Sequence, residues 1–83
     1  MTTSILVFAS LREAIGQGQI SAALTLPCEV KMLKNQLADQ YPVIKTAIQN
    51  DALLVAVNQQ MAADEVVIND GDEIALFPPV TGG

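Results

Sequence analysis

The chain contains no histidine, no tryptophan and only one cysteine, and just four of its 83 residues are basic. Without histidine it lacks the commonest general base at neutral pH, the commonest metal ligand and any nucleophile triad built on imidazole. The lone Cys28 excludes an internal disulfide, a CxxC redox pair and four-cysteine zinc or iron-sulfur sites. No apolar run approaches the roughly 20 residues that a membrane helix needs. The opening Met1-Thr2-Thr3-Ser4 lacks the basic residues of a secretory leader, so the sequence reads as cytoplasmic and without membrane attachment.

What is present is mostly apolar: 51% hydrophobic residues against 16% charged ones, the balance of a folded domain rather than a disordered tail. A chain this short fills one core and not two, so residues 1–83 read as a single domain. Charge is unevenly placed. Up to Lys45, four bases (Arg12, Lys31, Lys34, Lys45) face three acids (Glu13, Glu29, Asp39), a net of +1. From Thr46 onward six acids (Asp51, Asp64, Glu65, Asp70, Asp72, Glu73) stand without a base, a net of -6. Such a half repels phosphate backbones, which argues against nucleic acid, and it suits a basic protein partner. The plainer reading is that these acids keep a small apolar domain soluble.

Periodicity orders the elements. Ser4 to Ala9 is an unbroken apolar run typical of a central strand, with Ile5 and Val7 on one face and Leu6 and Phe8 on the other. Leu11 to Ile15 makes a helical turn that Gly16 can cap in the left-handed conformation. Gln19 to Leu26 alternates as a half-buried strand. After Pro27 the period lengthens: Val30, Leu33, Leu37 and Tyr41 form one stripe of a main helix that Pro42 ends near Gln40. Ile44 to Asn50 adds a looser turn. Leu53 to Val57 and Glu73 to Phe77 are strands, Val66 to Ile68 is a short β segment, and Asn69-Asp70-Gly71-Asp72 is a turn. The predicted fold is α+β: a mixed sheet covered on one face by one main helix, a roll of ubiquitin-like β-grasp type.

Cys28, near the helix start, is the one obvious nucleophile, but with no histidine to activate it the reading of a small buried cysteine competes. Asp70-Gly71-Asp72-Glu73 lacks the roughly twelve-residue ligand spacing of an EF-hand, so no metal site is read there. On the last strand Ile74 and Leu76 point inward, leaving Glu73, Ala75 and Phe77 outward. Phe8, Phe77 and Met61 are thus large apolar groups without a core role, the mark of a partner surface.

The end of the chain is the most specific segment. Pro78-Pro79-Val80-Thr81-Gly82-Gly83 pairs a stiff lead with two residues lacking side chains, an extended tail of at most roughly 20 Å. Gly82 and Gly83 could pass a channel too narrow for a Cβ, with the α-carboxylate of Gly83 as the reacting group. A carboxylate is inert until made into a mixed anhydride, so an ATP-using partner would have to activate it.

The run Leu76-Phe77-Pro78-Pro79-Val80-Thr81-Gly82-Gly83, preceded by Asp70-Gly71-Asp72-Glu73, resembles the C-terminal signature of molybdopterin synthase small subunits, the MoaD-type sulfur carriers. Phe8-Ala9 with Arg12-Glu13 and Gly16, and Val57-Asn58-Gln59, are similar to that family's first strand and third-strand end. The helix start departs from it: Cys28-Glu29-Val30 stands where the family often has Thr or Ser before Val, a cap poorer by about 1 kcal/mol. Met61 replaces a common Leu.

The resemblance implies a carrier with no bound cofactor and no metal. Its Gly83 would be adenylated by an E1-like adenylyltransferase using ATP and converted to a thiocarboxylate by a sulfur-donor protein. The tail would enter the large subunit, typically in a heterotetramer, and give sulfur to cyclic pyranopterin monophosphate. The catalytic pocket would then lie in the large subunit, and Phe8, Met61, Phe77, Pro78, Pro79, Val80 and Thr81 would be partner-binding. A thiamine-pathway sulfur carrier and a ubiquitin-like protein modifier are the alternatives, both using the same terminal glycine.

Overall fold

The computed structural model describes residues 2–79. β1 (Thr2–Val7) has a strand on each side; its second half, Ile5-Leu6-Val7, is apolar, while Ser4 is exposed. It pairs antiparallel with β2 (Gln19–Ala23) on one side and parallel with β7 (Ile74–Phe77) on the other. β7 in turn pairs antiparallel with β4 (Leu54–Val57), and β4 with the two-residue β5 (Gln60–Met61). The mixed sheet runs β2-β1-β7-β4-β5. A second, two-stranded sheet joins β3 (Cys28–Glu29) to β6 (Val67–Ile68).

Strand parity is as the alternation requires. Ile5, Val7, Ile20, Ala22, Val55, Val57, Ile74 and Leu76 all turn into one core. The covering layer is α2 (Val30–Gln40), which buries Val30, Leu33 and Leu37 and stops where Pro42 demands. Each fully buried leucine contributes roughly 1.5 to 3 kcal/mol. The helix has no side-chain cap at Glu29. Instead the N–H groups of Val30 and Lys31 donate to the carbonyls of Val66 (2.9 Å) and Asp64 (3.1 Å), so the loop before β6 takes over the capping. Lys34 fastens the same loop through Asp64, at 2.7 Å.

Beside the main helix, three details are corrected. The stretch read as a looser turn at 44–50 is a full helix, α3 (Pro42–Gln49), burying Ile44 and Ala47. Pro42 sits at its first position, where a missing N–H costs nothing, so the proline that ends α2 also starts α3. The turn after β1 is likewise a helix, α1 (Ala9–Ile15), capped by Gly16 at φ 86° with its N–H on the Arg12 carbonyl. The short β segment at 66–68 pairs beside the helix start rather than in the main sheet.

Among the described residues, no helix is long and apolar enough to cross a membrane.

Candidate docking face and tail root

The sheet's face away from the helices is shaped by its register. Leu6 lies opposite Ala75, Ala75 opposite Ala56, and Ala56 opposite Met61, so one outward row crosses four strands as large, small, small, large. The two alanines form a floor between taller neighbours, and both are buried although they face outward. The result is a groove of about 310 Å³ lined by Leu6, Phe8, Ala56, Met61, Ala75 and Phe77, with Gln59 and Glu73 at its rim. Met61 is 66% exposed and Phe8 40%. Phe77 is half-buried.

Phe8 ends β1's path and caps α1 with extended backbone (φ -125°, ψ 158°). Its N–H donates to the Leu76 carbonyl at 3.1 Å, and its carbonyl accepts from Arg12 N–H at 3.3 Å. The next residue, Ala9, takes φ +57°, a conformation an alanine adopts only under constraint. Thus held, the Phe8 ring stacks on Phe77 with centroids 4.9 Å apart and planes 6° from parallel. That separation fits an offset stack.

A second hollow of about 440 Å³ adjoins the groove, sharing Leu6 and Glu73 with it and walled by Ser4, Leu26 and the Asp70-Gly71-Asp72 turn. Asp72 accepts from Asn69 N–H at 2.8 Å and from Asn58 Nδ2 at 3.0 Å. These bonds, the Asn69 one first, hold its carboxyl below the ordinary value. Apolar groove and acidic hollow together suit a partner with an apolar projection flanked by basic side chains.

The sequence singled out Phe8, Met61 and Phe77 separately, and the structure gathers them around one groove. Pro78 and Pro79 follow Phe77 in the chain and are half-buried, but neither lines the groove. Val80, Thr81, Gly82 and Gly83 lie outside the described residues. Ala56 and Gln59 were missed by the sequence reading, although strand parity from Val55 and Val57 already turned Ala56 outward. Cys28 is buried on β3 among core residues, and burial pushes its thiol pKa up, the opposite of activation by a helix dipole. No group of residues able to hold a metal ion is found among the described residues.

Residues 5–83 match the family model described as the ThiS family. The chain is 39% identical over 79 residues to the molybdopterin synthase sulfur carrier subunit of Escherichia coli, covering 95% of this chain and 96% of that one. It is 38% identical over 80 residues to the protein of the same name in Haemophilus influenzae, covering 96% and 98%. Among solved structures, SAMP1 of Haloferax volcanii superposes with TM-score 0.82 at 27% identity over all of both chains. The complex of subunits 1 and 2 of the molybdopterin-converting factor from Helicobacter pylori gives TM-score 0.67 at 21% identity, again over all of both chains, a likeness of the ubiquitin-like β-grasp fold.

Proposed function

The chain belongs to the ThiS family, and from that premise we propose that it is a sulfur carrier acting as the small subunit of a molybdopterin synthase. What carries the reading is that relatives named for this role align over nearly their whole length, and that the family match takes in the Gly82-Gly83 pair. In this reading an oxygen of the Gly83 carboxylate attacks the α-phosphorus of ATP on an E1-like adenylyltransferase. Pyrophosphate leaves, and an acyl-adenylate remains. A sulfur nucleophile at the hydrosulfide level, supplied by a donor protein, adds to the carbonyl carbon. The bond to AMP breaks and leaves a thiocarboxylate.

The carrier then docks on the large subunit through the groove. Sulfur passes to cyclic pyranopterin monophosphate, and water restores the carboxylate. Docking and chemistry are separate tasks here. The rigid sheet supplies the first, and the second requires only the terminal glycyl group, which explains how a chain without histidine can take part in such a reaction.

The test is intact mass after incubation with ATP, adenylyltransferase and a sulfur source. Replacement of one oxygen by sulfur at the C-terminal peptide supports the carrier reading, and an unchanged mass with active partners overturns it. A second reading, a protein modifier joined through Gly83 to lysine amines, is favoured by the likeness to a small archaeal modifier protein at 26% identity and TM-score 0.79. It differs in outcome: the chain would appear on other proteins as an isopeptide-linked adduct instead of turning over as a free carrier.

A further inference from the structure

The contact between Phe8 and Phe77 has a mechanical consequence for the tail. Phe77 is the last residue of β7 and directly precedes Pro78-Pro79. A residue before proline is confined to extended backbone, and each proline fixes its own φ near about -65°. The direction of the chain at Phe77 therefore passes into the segment that follows with little loss. Phe77 is braced on one side by its pairing with Leu54 on β4. On the other it meets the Phe8 ring, stacked at 4.9 Å and itself tied to β7 through Leu76 and to α1 through Arg12.

We propose that Phe8 is a positioning residue for sulfur transfer. Its ring is the brace that sets the line along which the tail leaves the sheet, in addition to any contact it makes with a partner. The magnitudes favour such a device. Phe77, Pro78 and Pro79 together span at most roughly 10 Å, so a swing of about 20° at the root displaces the point where the remaining residues begin by about 3 Å. Reacting atoms need to come within roughly 3 to 3.5 Å, so looseness of that size takes the terminal group out of reach. The strained Ala9, at φ +57°, fits the same role, because it holds Phe8 over Phe77 at the point where the strand gives way to α1.

This inference rests on the carrier reading, and its test separates the two. Phe8→Leu keeps an apolar side chain but removes the stack, whereas Phe8→Tyr keeps both. Thermal unfolding establishes that each variant is folded at the assay temperature. Sulfur transfer from thiocarboxylated carrier is then measured against large-subunit concentration, and the amide order parameter of Val80 is measured by NMR in the isolated chain. Phe8→Leu is expected to lower the rate at saturating large subunit by on the order of tenfold to a hundredfold and to lower the Val80 order parameter, with Phe8→Tyr close to the parent in both. A Phe8→Leu effect confined to the half-saturating concentration, with saturated rate and order parameter unchanged, overturns the proposal and leaves Phe8 a contact residue. If the parent itself transfers no sulfur, the carrier reading fails. The order parameter then decides the brace alone: a fall upholds it and no change overturns it.

Discussion

Asn58 and Asp72 tie together the two turns beside the groove. Asn58 Nδ2 donates to Asp72 Oδ1 at 3.0 Å, and Asn58 Oδ1 accepts the Glu73 N–H at 3.0 Å. The Asn58 backbone N–H donates in turn to the Glu73 carbonyl at 2.7 Å. Asn58 and Gln59 both have positive φ, 53° and 69°, as the two central residues of a tight hairpin require. Asn58 thus meets a backbone demand and makes two side-chain bonds. Asn58→Gly, which meets only the first, should lose roughly 1 to 2 kcal/mol. Asn58→Ala should lose more, because a Cβ is strained in the left-handed region. Urea unfolding at neutral pH ranks them; an alanine variant more stable than the glycine one would refute this account.

The carboxyl of Asp72 gives a pH dependence whose sign is fixed. Hydrogen bonds from Asn69 N–H and from Asn58 stabilise the charged form, so its folded pKa lies below the ordinary 3.8. Its contribution to stability is complete above that ordinary value and disappears as pH falls through the depressed one. Asp72→Asn should therefore be less stable than the parent at neutral pH, with the gap closing well below pH 3.8. A gap that stays constant across an acid titration of stability would rule the carboxylate out as its source.

The groove predicts which substitutions spare the fold. Met61→Ala and Phe8→Ala remove exposed side chains outside the core cluster, so stability should change little. Binding to the large subunit should weaken by roughly 1 to 3 kcal/mol if these are anchor residues. The reverse experiment fills the floor: Ala75→Leu puts a branched side chain where the groove is shallowest and should block docking as effectively. Calorimetric titration of each variant is decisive, and parent-like affinity for Ala75→Leu would show that the partner does not use this face.

Charge acts through Asp70 and Glu73, since Asp72 is committed to holding its turn. Changing both to lysine should slow association with a basic partner and flatten the salt dependence of that rate, while leaving the dissociation rate nearly unchanged. Stopped-flow association at two ionic strengths reads both quantities. An unaltered association rate would reduce the acidic half to an aid to solubility.

Much of this was legible in the sequence because it is written in periods. Ile5 and Val7 against Leu6 and Phe8, the stripe of α2, and the turn at Gly71 (φ 89°) all follow from spacing or from a glycine placed where φ is positive. The rest is short or depends on contact. β3, β5 and β6 hold two residues each, too few for an alternation to register. α3 is hard to read from the sequence because Pro42 signals the end of one helix and the start of another with the same residue, although Ile44, Ala47 and Ile48 keep helical spacing. For the groove, each outward side chain could be assigned singly. That Ala75 would lie opposite Ala56, making a hollow rather than a ridge, depends on the register between strands distant in sequence.

The chemistry of the carrier is predicted to reside in its terminal carboxylate and in the length of chain that delivers it. Deleting Gly83 draws that carboxylate back by about 3.3 Å, as much as the whole near-attack separation of roughly 3 to 3.5 Å, so productive geometry should be lost. Adding one residue after Gly83 should be as harmful, because it replaces the glycyl carboxylate and brings a Cβ into a channel suited to glycine. Neither change touches the core, which closes with Leu76 on β7, so unfolding curves should match the parent. Cys28→Ala serves as the control from the other side: the thiol is buried with a raised pKa, and losing it should cost some stability without stopping transfer. Molybdopterin formed by the reconstituted synthase, measured for each variant after attempted thiocarboxylation, checks the set. Near-normal product from the Gly83 deletion, or loss of product from a folded Cys28→Ala chain, would move the reacting group away from the C-terminus.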